Sequence, residues 1–433
     1  MKLSKYVIQI SDKNYLYLFN SKNNLAVKVE KKLLDQLSQN EILYQQFNSF
    51  MLDKNFLWEE NELIENLSSL EELNDKVLRV IILAHGDCNF RCKYCYEKFE
   101  DKNIQPKQTH ILKFITDKLE THHFDTLHIS WFGGEPLLGY REIKFISQEL
   151  ISYAKTNSIK YISDITTNGY LLTPTIFQNL VQNALISTFQ ITIDGEREGH
   201  DYQRILKNGK GTFDRIMKNV QEISKIDSQY QLIIRSNISK ENIHEVKKFL
   251  QNEAKIFQNN SRIKFLFRNV GNWGCGDRKS GYDVEKFEED ISFDVSRYAL
   301  NLGYSLYDPY IIPTNQFACY AQKRNSFVID TSGRILKCTV ALYEDFNCIG
   351  NLEDGIIDNS LESRWINTFD KLEQKCKSCA LLFICKGGFC PKIRVSNSKS
   401  HNVCKEMKNL IYNNFRLRIL ADGFDYTIRG IEQ

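Results

Sequence analysis

The sequence predicts an α/β fold: a partial (β/α)6 barrel with an N-terminal α+β module and a C-terminal cysteine-rich domain. Three observations support this prediction. Short apolar runs precede helical segments near the N terminus, apolar β-branched runs alternate with helix-length segments in the middle, and cysteines dominate towards the C terminus. We therefore divide the 433 residues into three segments, 1–75, 76–310 and 311–433.

Residues 1–75 are predicted to form the α+β module. The runs YVIQI, YLYLF and LAVKV are joined by the turn-like stretches SDKN and NSKNN, which indicates three strands. Three helical stretches follow, namely EKKLLDQL, EILYQQFNSFML and ELIENLSSLEEL. One interpretation of this module is a simple N-terminal cap on the next domain.

Residues 76–310 contain the alternating pattern. The strand-like runs are LRVIILA, TLHISWF, YISDITT, TFQITI, QLIIRSNI and RIKFLF, each followed by a helix-length segment. This alternation predicts a parallel sheet with helices outside it. In such folds the functional residues gather where strands end. The first four strand ends here carry HGDCNFRCKYC, GGEP, TNG and DG.

Composition excludes several classes of function. The net charge is only +3 with mixed signs, so nothing favours nucleic acid as a partner. No apolar run approaches the ~18 residues of a membrane span, and the N-terminal stretch lacks the apolar core of a secretory signal. We expect a soluble, cytoplasmic protein without a membrane partner. In that compartment the twelve cysteines indicate metal or redox chemistry rather than disulfides.

The segment CNFRCKYC places Cys88, Cys92 and Cys95 on one loop. A structural zinc site needs four protein ligands, and no fourth Cys or His stands at zinc-finger spacing. His85 ends the preceding strand and is interpreted as a packed residue. Three thiolates on a cubane cluster leave one iron open for a substrate or cofactor. The missing fourth ligand therefore marks a reactive position.

This CxxxCxxC loop after the first strand, together with FGGEP after the second, resembles the radical S-adenosylmethionine (SAM) enzymes. The resemblance implies that the three cysteines bind a 4Fe–4S cluster and that SAM chelates its open iron. It also implies that Tyr94 lies by the adenine. The residues that it assigns to the SAM amino group are Gly133, Gly134 and Glu135.

Later strand ends supply further candidates for SAM binding. The stretch DGEREGHDYQRILKNGKGTFDRI resembles the corresponding segment of the peptide-modifying branch of this family. Asn168, Thr192 and Asp194 are candidates for ribose or methionine contacts. Arg204 is a candidate for the carboxylate, since a guanidinium suits that partner. The alternative is structural, because Asn-Gly and Asp-Gly are common turn formers.

The C-terminal cysteines resemble the SPASM extension, which binds two auxiliary iron–sulfur clusters. By this resemblance the distal cluster is held by Cys376, Cys379, Cys385 and Cys404, and the nearer one by Cys319, Cys338 and Cys390. The fourth site of the nearer cluster is either open or filled by Cys348. One departure is that four residues, not three, separate Cys385 from Cys390. One or two zinc ribbons are the alternative. Cys275, in the Gly-rich VGNWGCGDRKSG, is interpreted as a loop thiol.

The resemblance implies an enzyme that cleaves SAM to methionine and a 5′-deoxyadenosyl radical, which takes hydrogen from carbon. SPASM enzymes act mostly on peptides or proteins. We expect a maturase of a ribosomally made peptide (RiPP) whose N-terminal module binds a leader by strand addition, and which forms a thioether. The expected partners are a precursor peptide and a small reducing protein such as flavodoxin or ferredoxin.

Other functions remain as alternatives. Carbon–carbon cross-linking or epimerisation of a peptide would use the same site. Anaerobic sulfatase-maturating enzymes, which make formylglycine, carry Asp where this chain has Thr339, and they lack the roughly eighty residues that precede Cys88. A zinc-binding module or an electron-transfer protein would not need both the open-iron loop and GGEP on a βα scaffold.

Overall fold

The computed structural model describes residues 2–57, 76–271, 291–307, 319–355, 357–366, 374–385, 390–396 and 403–429. The chain forms two compact units. The first unit consists of residues 1–74, 308–323 and 366–433, and the second of residues 75–307 and 324–365. The predicted helix ELIENLSSLEEL and Cys275 lie outside the described residues. No helix among the described residues is both long and apolar enough to span a bilayer.

The strands, in chain order, are β1 (Val7–Ser11), β2 (Tyr15–Asn20), β3 (Ala26–Glu30), β4 (Val77–His85), β5 (Phe90–Cys92), β6 (Thr126–Gly133), β7 (Lys160–Thr167), β8 (Ile186–Thr192), β9 (Arg204–Leu206), β10 (Gln231–Ile238), β11 (Ile263–Asn269), β12 (Ser326–Ile329), β13 (Arg334–Leu336), β14 (Cys348–Asn351) and β15 (Tyr426–Ile428).

The α-helices, in chain order, are α1 (Lys31–Leu37), α2 (Glu41–Asp53), α3 (Gln108–Thr121), α4 (Tyr140–Thr156), α5 (Pro174–Asn183), α6 (Arg197–Gln203), α7 (Phe213–Ser224), α8 (Ile243–Gln251), α9 (Ile291–Asn301), α10 (Asn359–Trp365), α11 (Gln374–Lys377), α12 (Leu382–Cys385), α13 (Pro391–Val395) and α14 (Val403–Leu420).

The second unit is built on one sheet with the strand order β11-β10-β8-β7-β6-β4-β12-β13-β14. The first six strands of this order are the six predicted ones, and each pairs in parallel with its neighbours. The runs form central strands because their apolar side chains are buried; Leu78, Val80 and Ile82 of β4 are all 0% exposed. The predicted α/β fold is therefore confirmed.

The sheet continues beyond the six predicted strands. β12 pairs in parallel with β4, and β13 and β14 extend it in antiparallel fashion. The prediction from the sequence placed this stretch in the cysteine-rich C-terminal segment and named no strands there. It missed these strands because SFVI is only four residues long and buried throughout, so it shows no alternation of apolar and polar residues.

The first unit combines the two ends of the chain. Its sheet has the order β1-β2-β3-β15, and β15 comes from the C-terminal segment and pairs in parallel with β3. Phe19 of β2 packs on Phe415 of α14, with ring centroids 5.4 Å apart. Asp425 accepts a hydrogen bond from the Ala26 amide (2.7 Å). The structure thus divides the chain differently from the three predicted segments, because these pairings join residues about 400 positions apart.

Candidate cofactor site at the strand ends

The GGEP turn after β6 lies directly against the loop that leads to Cys88. The Gly134 amide donates to the His85 carbonyl and the Glu135 amide to the Asp87 carbonyl, both at 3.0 Å. A Cβ on Gly133 would lie 2.5 Å from the His85 carbonyl oxygen, and Gly133 also has a φ of +116°. A Cβ on Gly134 would lie 2.5 Å from the Asp87 carbonyl oxygen. Both glycines are therefore required by the close approach of the cysteine loop.

Glu135 is fully buried and joins the end of β6 to the end of β7. Its carboxylate accepts hydrogen bonds from the Thr167 hydroxyl (2.6 Å), the Asn168 amide (2.8 Å) and the Leu137 amide (3.0 Å). Burial raises the pKa of this carboxyl group, and the three hydrogen bonds oppose that shift. The side chain thus has an internal role in holding two strand ends together. Its contact with the SAM amino group stays a prediction.

Cys88 is enclosed by hydrogen-bond donors. The residue is 8% exposed. Its sulfur accepts hydrogen bonds from the Phe90 amide (3.3 Å) and from the Asn168 side-chain amide (3.6 Å). The same Asn168 amide donates to Asn89 at 2.7 Å. Burial raises the pKa of the thiols of Cys88 and Cys92, and raises that of Cys95 to about 12. A bound cation reverses this preference and keeps thiols deprotonated.

The chemistry of this loop matches an iron–sulfur cluster. Three sulfur donors lie within eight residues, and N–H groups point at the sulfur of Cys88, as donors to cluster sulfurs do. In the described part of the chain, no three Cys, His, Asp or Glu side chains converge closely enough to hold a metal ion. The ligand assignment of Cys88, Cys92 and Cys95 therefore rests on the donor types and their loop, and stays a prediction.

Tyr94 anchors the same loop to the ends of β8, β9 and β10. Its hydroxyl donates to Asp194 and accepts from Arg204 (2.5 Å) and from the Asn237 side chain (3.0 Å). Arg204 and Asp194 also form an ion pair at 3.8 Å in which both side chains are almost completely buried. Burial raises the pKa of Asp194, and Arg204 opposes that shift. The structure thus brings together three of the predicted cofactor residues, Tyr94, Asp194 and Arg204.

His200 explains part of the HDYQR motif. It is fully buried, its Nδ1 accepts the Asp194 amide hydrogen (3.2 Å), and its Nε2 lies 3.0 Å from the Thr212 hydroxyl. That hydroxyl donates to the Arg204 carbonyl at 2.6 Å. Burial and then Arg204 hold the pKa of His200 well below its usual range, so the ring is neutral and carries its proton on Nε2. His200 therefore links the backbones of Asp194 and Arg204.

The remaining predicted contact, Thr192, ends β8 and is 7% exposed. It lies in register with Arg235 of β10. Sequence reasoning missed Asn237, His200 and Arg235, all of which approach the site. A polar residue within a buried strand, as in QLIIRSNI, was the available signal for Arg235 and Asn237.

The C-terminal cysteines are distributed differently. Among the described residues, Cys379 and Cys385 pack against a first-unit core cluster that contains Leu381, Ile384 and Phe415. Cys404 is exposed. The other predicted ligands in the first unit are Cys319, Cys376 and Cys390. These assignments stay predictions.

Cys338 and Cys348 belong to the second unit. The backbone amide of Cys338 donates to the side chain of Asn347 (2.9 Å), and that side chain donates back to the Cys338 carbonyl (2.8 Å). The sulfur of Cys338 accepts from the Val340 amide at 3.4 Å. Buried Asn347 therefore fixes the loop that presents Cys338.

Comparisons with known proteins agree with the fold. Residues 82–251 match the model of the Radical SAM superfamily. A cysteine-type anaerobic sulfatase-maturating enzyme of Clostridium perfringens (strain 13 / Type A) is 21% identical over 73% of this chain and 89% of its own length. The radical SAM cyclopropyl synthase TigE of Paramaledivibacter caminithermalis is 24% identical over 53% of this chain and 55% of its own length.

Solved structures share the fold. Native anSMEcpe with bound AdoMet and Kp18Cys peptide aligns with a TM-score of 0.60 at 17% identity. The alignment covers 80% of this chain and 100% of anSMEcpe. Streptococcus suis SuiB bound to its precursor peptide SuiA aligns with a TM-score of 0.52 at 17% identity, covering 92% of this chain and 97% of SuiB.

The match at residues 82–251 thus indicates a Radical SAM domain in this chain. The chain is similar in sequence to the sulfatase-maturating enzymes and in fold to SuiB. The predicted resemblance to radical SAM enzymes is therefore confirmed. A Radical SAM domain implies a 4Fe–4S cluster and SAM as cofactors.

Proposed function

We propose that this enzyme cleaves SAM and oxidatively modifies a ribosomally made peptide, by forming a thioether between a Cys thiol and a carbon atom. The observation that carries this proposal is the three-cysteine loop, held at the strand ends by the GGEP turn. The proposed cluster ligands are Cys88, Cys92 and Cys95. When bound, the cluster and SAM supply the 5′-deoxyadenosyl radical that takes hydrogen from the substrate.

The residues of the chain position SAM and keep the site closed. Gly133 and Gly134 let the GGEP backbone lie against the cysteine loop, so their carbonyls are candidates for the SAM amino group. Tyr94, Asn168, Thr192 and Asp194 are the proposed contacts to the rest of the cofactor. Arg204 is the proposed partner of its carboxylate, since one side of its guanidinium, Nε, is buried without a hydrogen-bond partner.

A leader-binding role for the N-terminal strands and helices is supported by the share of the chain that two peptide-bound structures match. The anSMEcpe structure with the Kp18Cys peptide covers 80% of this chain, whereas SuiB with its precursor peptide covers 92%. The larger share covered by SuiB is expected if SuiB contains a counterpart of the N-terminal strands and helices of this chain. We propose that β1–β3 with α1 and α2 contribute to leader binding by strand addition.

The auxiliary clusters belong to the same proposal. Cys376, Cys379, Cys385 and Cys404 would hold one, and Cys319, Cys338 and Cys390 the other, with its fourth site open or filled by Cys348. Such clusters would accept the electron that remains after the new bond forms, and flavodoxin or ferredoxin would supply the first electron. The alternative product classes are a carbon–carbon cross-link and an epimerised residue.

Sulfatase maturation is the second candidate function. Three of the relatives in Clostridium and one in Bacteroides thetaiotaomicron, at 21–22% identity, are named as anaerobic sulfatase-maturating enzymes. Thr339, in place of the aspartate that the resemblance leads one to expect, speaks against it.

One experiment separates these functions. The reconstituted enzyme is incubated anaerobically with SAM, reductant and a precursor peptide encoded beside its gene, and the peptide is weighed by mass spectrometry. A loss of two hydrogens supports cross-linking, and trapping the thiol before and after distinguishes a thioether. Deuterium uptake at one Cα without mass loss indicates epimerisation. An unchanged peptide, with conversion of a sulfatase peptide instead, supports the alternative.

A further inference from the structure

The sheet of the second unit has a second cationic position next to the site, at Arg235 of β10. The Nε of Arg235 donates to the Asn237 side chain at 2.9 Å, and that side chain in turn donates to the Tyr94 hydroxyl at 3.0 Å. Arg235 is thus two contacts from Tyr94, on the loop of the three cysteines.

The register of the strands places Arg235 on a partly exposed face. Thr192 of β8, Arg235 of β10 and Leu266 of β11 form one row. On β11, Ile263, Phe265 and Phe267 are buried at 2%, 1% and 3% exposure, whereas the alternate residues Lys264 and Leu266 are partly exposed. Because side chains alternate along a strand, Arg235, Lys264 and Leu266 share this partly exposed face, which we call the open face, together with the buried Thr192 and Ile233.

The positive charges on this face form no ion pair with the described residues. The two terminal nitrogens of Arg235 and the ammonium group of Lys264 have no hydrogen bond or ion pair to any described side chain. Lys264 lies one strand away from Arg235, in register with Ile233. A guanidinium with both terminal nitrogens available is suited to grip a carboxylate with two parallel hydrogen bonds.

The acidic groups of the same face are already engaged. Asp194 accepts from the Asn237 amide (2.7 Å) and from Tyr94, and it pairs with Arg204. Asp164 accepts from His128 (2.6 Å) and from Ser130 (2.7 Å). The charges of Asp194 and Arg235 attract each other, but among the described residues no carboxylate forms an ion pair with Arg235 or Lys264. A ligand carboxylate would therefore complete the arrangement.

We propose that Arg235, supported by Lys264, binds an acidic side chain of the peptide substrate, so that the substrate carries Asp or Glu near the residue that is modified. This inference rests on the proposed function, because it takes the occupant of the open face to be a peptide. Arg204 is the proposed partner of the cofactor carboxylate, which leaves Arg235 for the substrate.

The test uses two pools of short synthetic peptides with one fixed cysteine. The acidic pool contains Asp and Glu where the neutral pool contains Asn and Gln. Binding to the reconstituted, SAM-loaded enzyme is measured by fluorescence anisotropy. We expect the wild type to prefer the acidic pool by about tenfold, which is the gain of a charge-assisted pair. Arg235→Gln should remove most of this preference and Lys264→Gln a smaller part.

Matched controls keep the result specific. Lys255→Gln removes one exposed positive charge elsewhere and should leave the preference intact. Arg235→Lys keeps the charge without the planar fork and should retain part of the preference, which also covers the case that Arg235→Gln fails to fold. No preference in the wild type, or an undiminished preference in Arg235→Gln, would overturn the proposal.

A cofactor arm identifies the source of the carboxylate. SAM and decarboxylated SAM are compared in wild type and Arg235→Gln by equilibrium dialysis. We expect the same discrimination between the two molecules in both proteins. Loss of that discrimination in the variant would assign Arg235 to the cofactor and overturn the substrate assignment. Release of 5′-deoxyadenosine from SAM is measured in parallel, and its absence in wild type would count against the proposed function rather than against this site.

Discussion

The two cysteine-rich regions of this enzyme are stabilised in different ways. The N-terminal trio sits on a loop fixed by the surrounding backbone: GGEP contacts on one side, Tyr94 and Asn168 on the other. The C-terminal cysteines are carried by short helices, such as α11 and α12 of four residues each. Helices of that length are not stable alone. The comparison indicates that the sheet of the second unit builds the first site, whereas the C-terminal region depends on shared packing and on the clusters proposed for it.

The largest effect is expected from removing the first trio. Cys88→Ala, Cys92→Ala and Cys95→Ala together should abolish SAM cleavage, because these three cysteines are the proposed ligands of the cluster that binds SAM. Iron bound by the C-terminal cysteines should remain, and it is quantified by iron analysis and electron paramagnetic resonance. Cleavage of SAM by this variant would refute the assignment of the loop. A variant with the four cysteines of the proposed distal cluster changed to Ala is the matched control, and it should retain the SAM-binding cluster.

The next largest effect concerns the core of the first unit. Phe19 is 1% exposed and packs on Phe415, so Phe19→Ala should lower the free energy of unfolding of this unit by about 3–5 kcal/mol. Thermal unfolding followed by circular dichroism measures this loss of stability.

Because β1–β3 share a sheet with β15, deleting the N-terminal module should also destabilise the C-terminal region of the first unit. If the deletion leaves the stability of the C-terminal region unchanged, the N-terminal module is instead a cap that folds independently of that region.

Glu135 allows the scaffold role to be separated from cofactor binding. Glu135→Ala leaves the Thr167 hydroxyl and two backbone amides without their acceptor, which should cost about 1–3 kcal/mol of stability. We also expect weaker SAM binding, measured by equilibrium dialysis well below the melting temperature. Glu135→Gln keeps the shape of the side chain and one carbonyl acceptor, so its stability and SAM affinity should lie between those of the wild type and Glu135→Ala. Unchanged SAM affinity in a folded Glu135→Ala enzyme would count against its role at the site.

The smallest effect is a pH dependence from His200. Its pKa is lowered in the folded state by burial, so the unfolded chain binds the extra proton below a pH of about 6.5. The contribution of neutral His200 to the free energy of unfolding is therefore fully present above that pH. It falls as the pH drops, by up to about 1.4 kcal/mol per pH unit. Urea unfolding at a series of pH values measures this slope. His200→Gln should remove that slope, and an identical slope in the variant would show that other groups cause it.

Local patterns allowed the six parallel strands and the cysteine loop to be predicted, because each depends on a run of buried apolar residues or on a short motif. They could not reveal β12 or β15, which form only through pairing with β4 and β3 far along the chain. The same limit applies to side chains. The assignment of the GGEP glycines to the SAM amino group stays a prediction, whereas their close approach to the cysteine loop is seen only in the structure. Arg235 and His200 gain their surroundings only when the strand ends meet.

The most direct measurement is made on the anaerobically reconstituted wild-type protein, with its iron and sulfide counted and 5′-deoxyadenosine followed by chromatography after addition of SAM and reductant. A brown, iron-loaded protein that releases 5′-deoxyadenosine is the expected result. A colourless, zinc-loaded protein that leaves SAM intact would contradict an open iron at the loop of Cys88, Cys92 and Cys95.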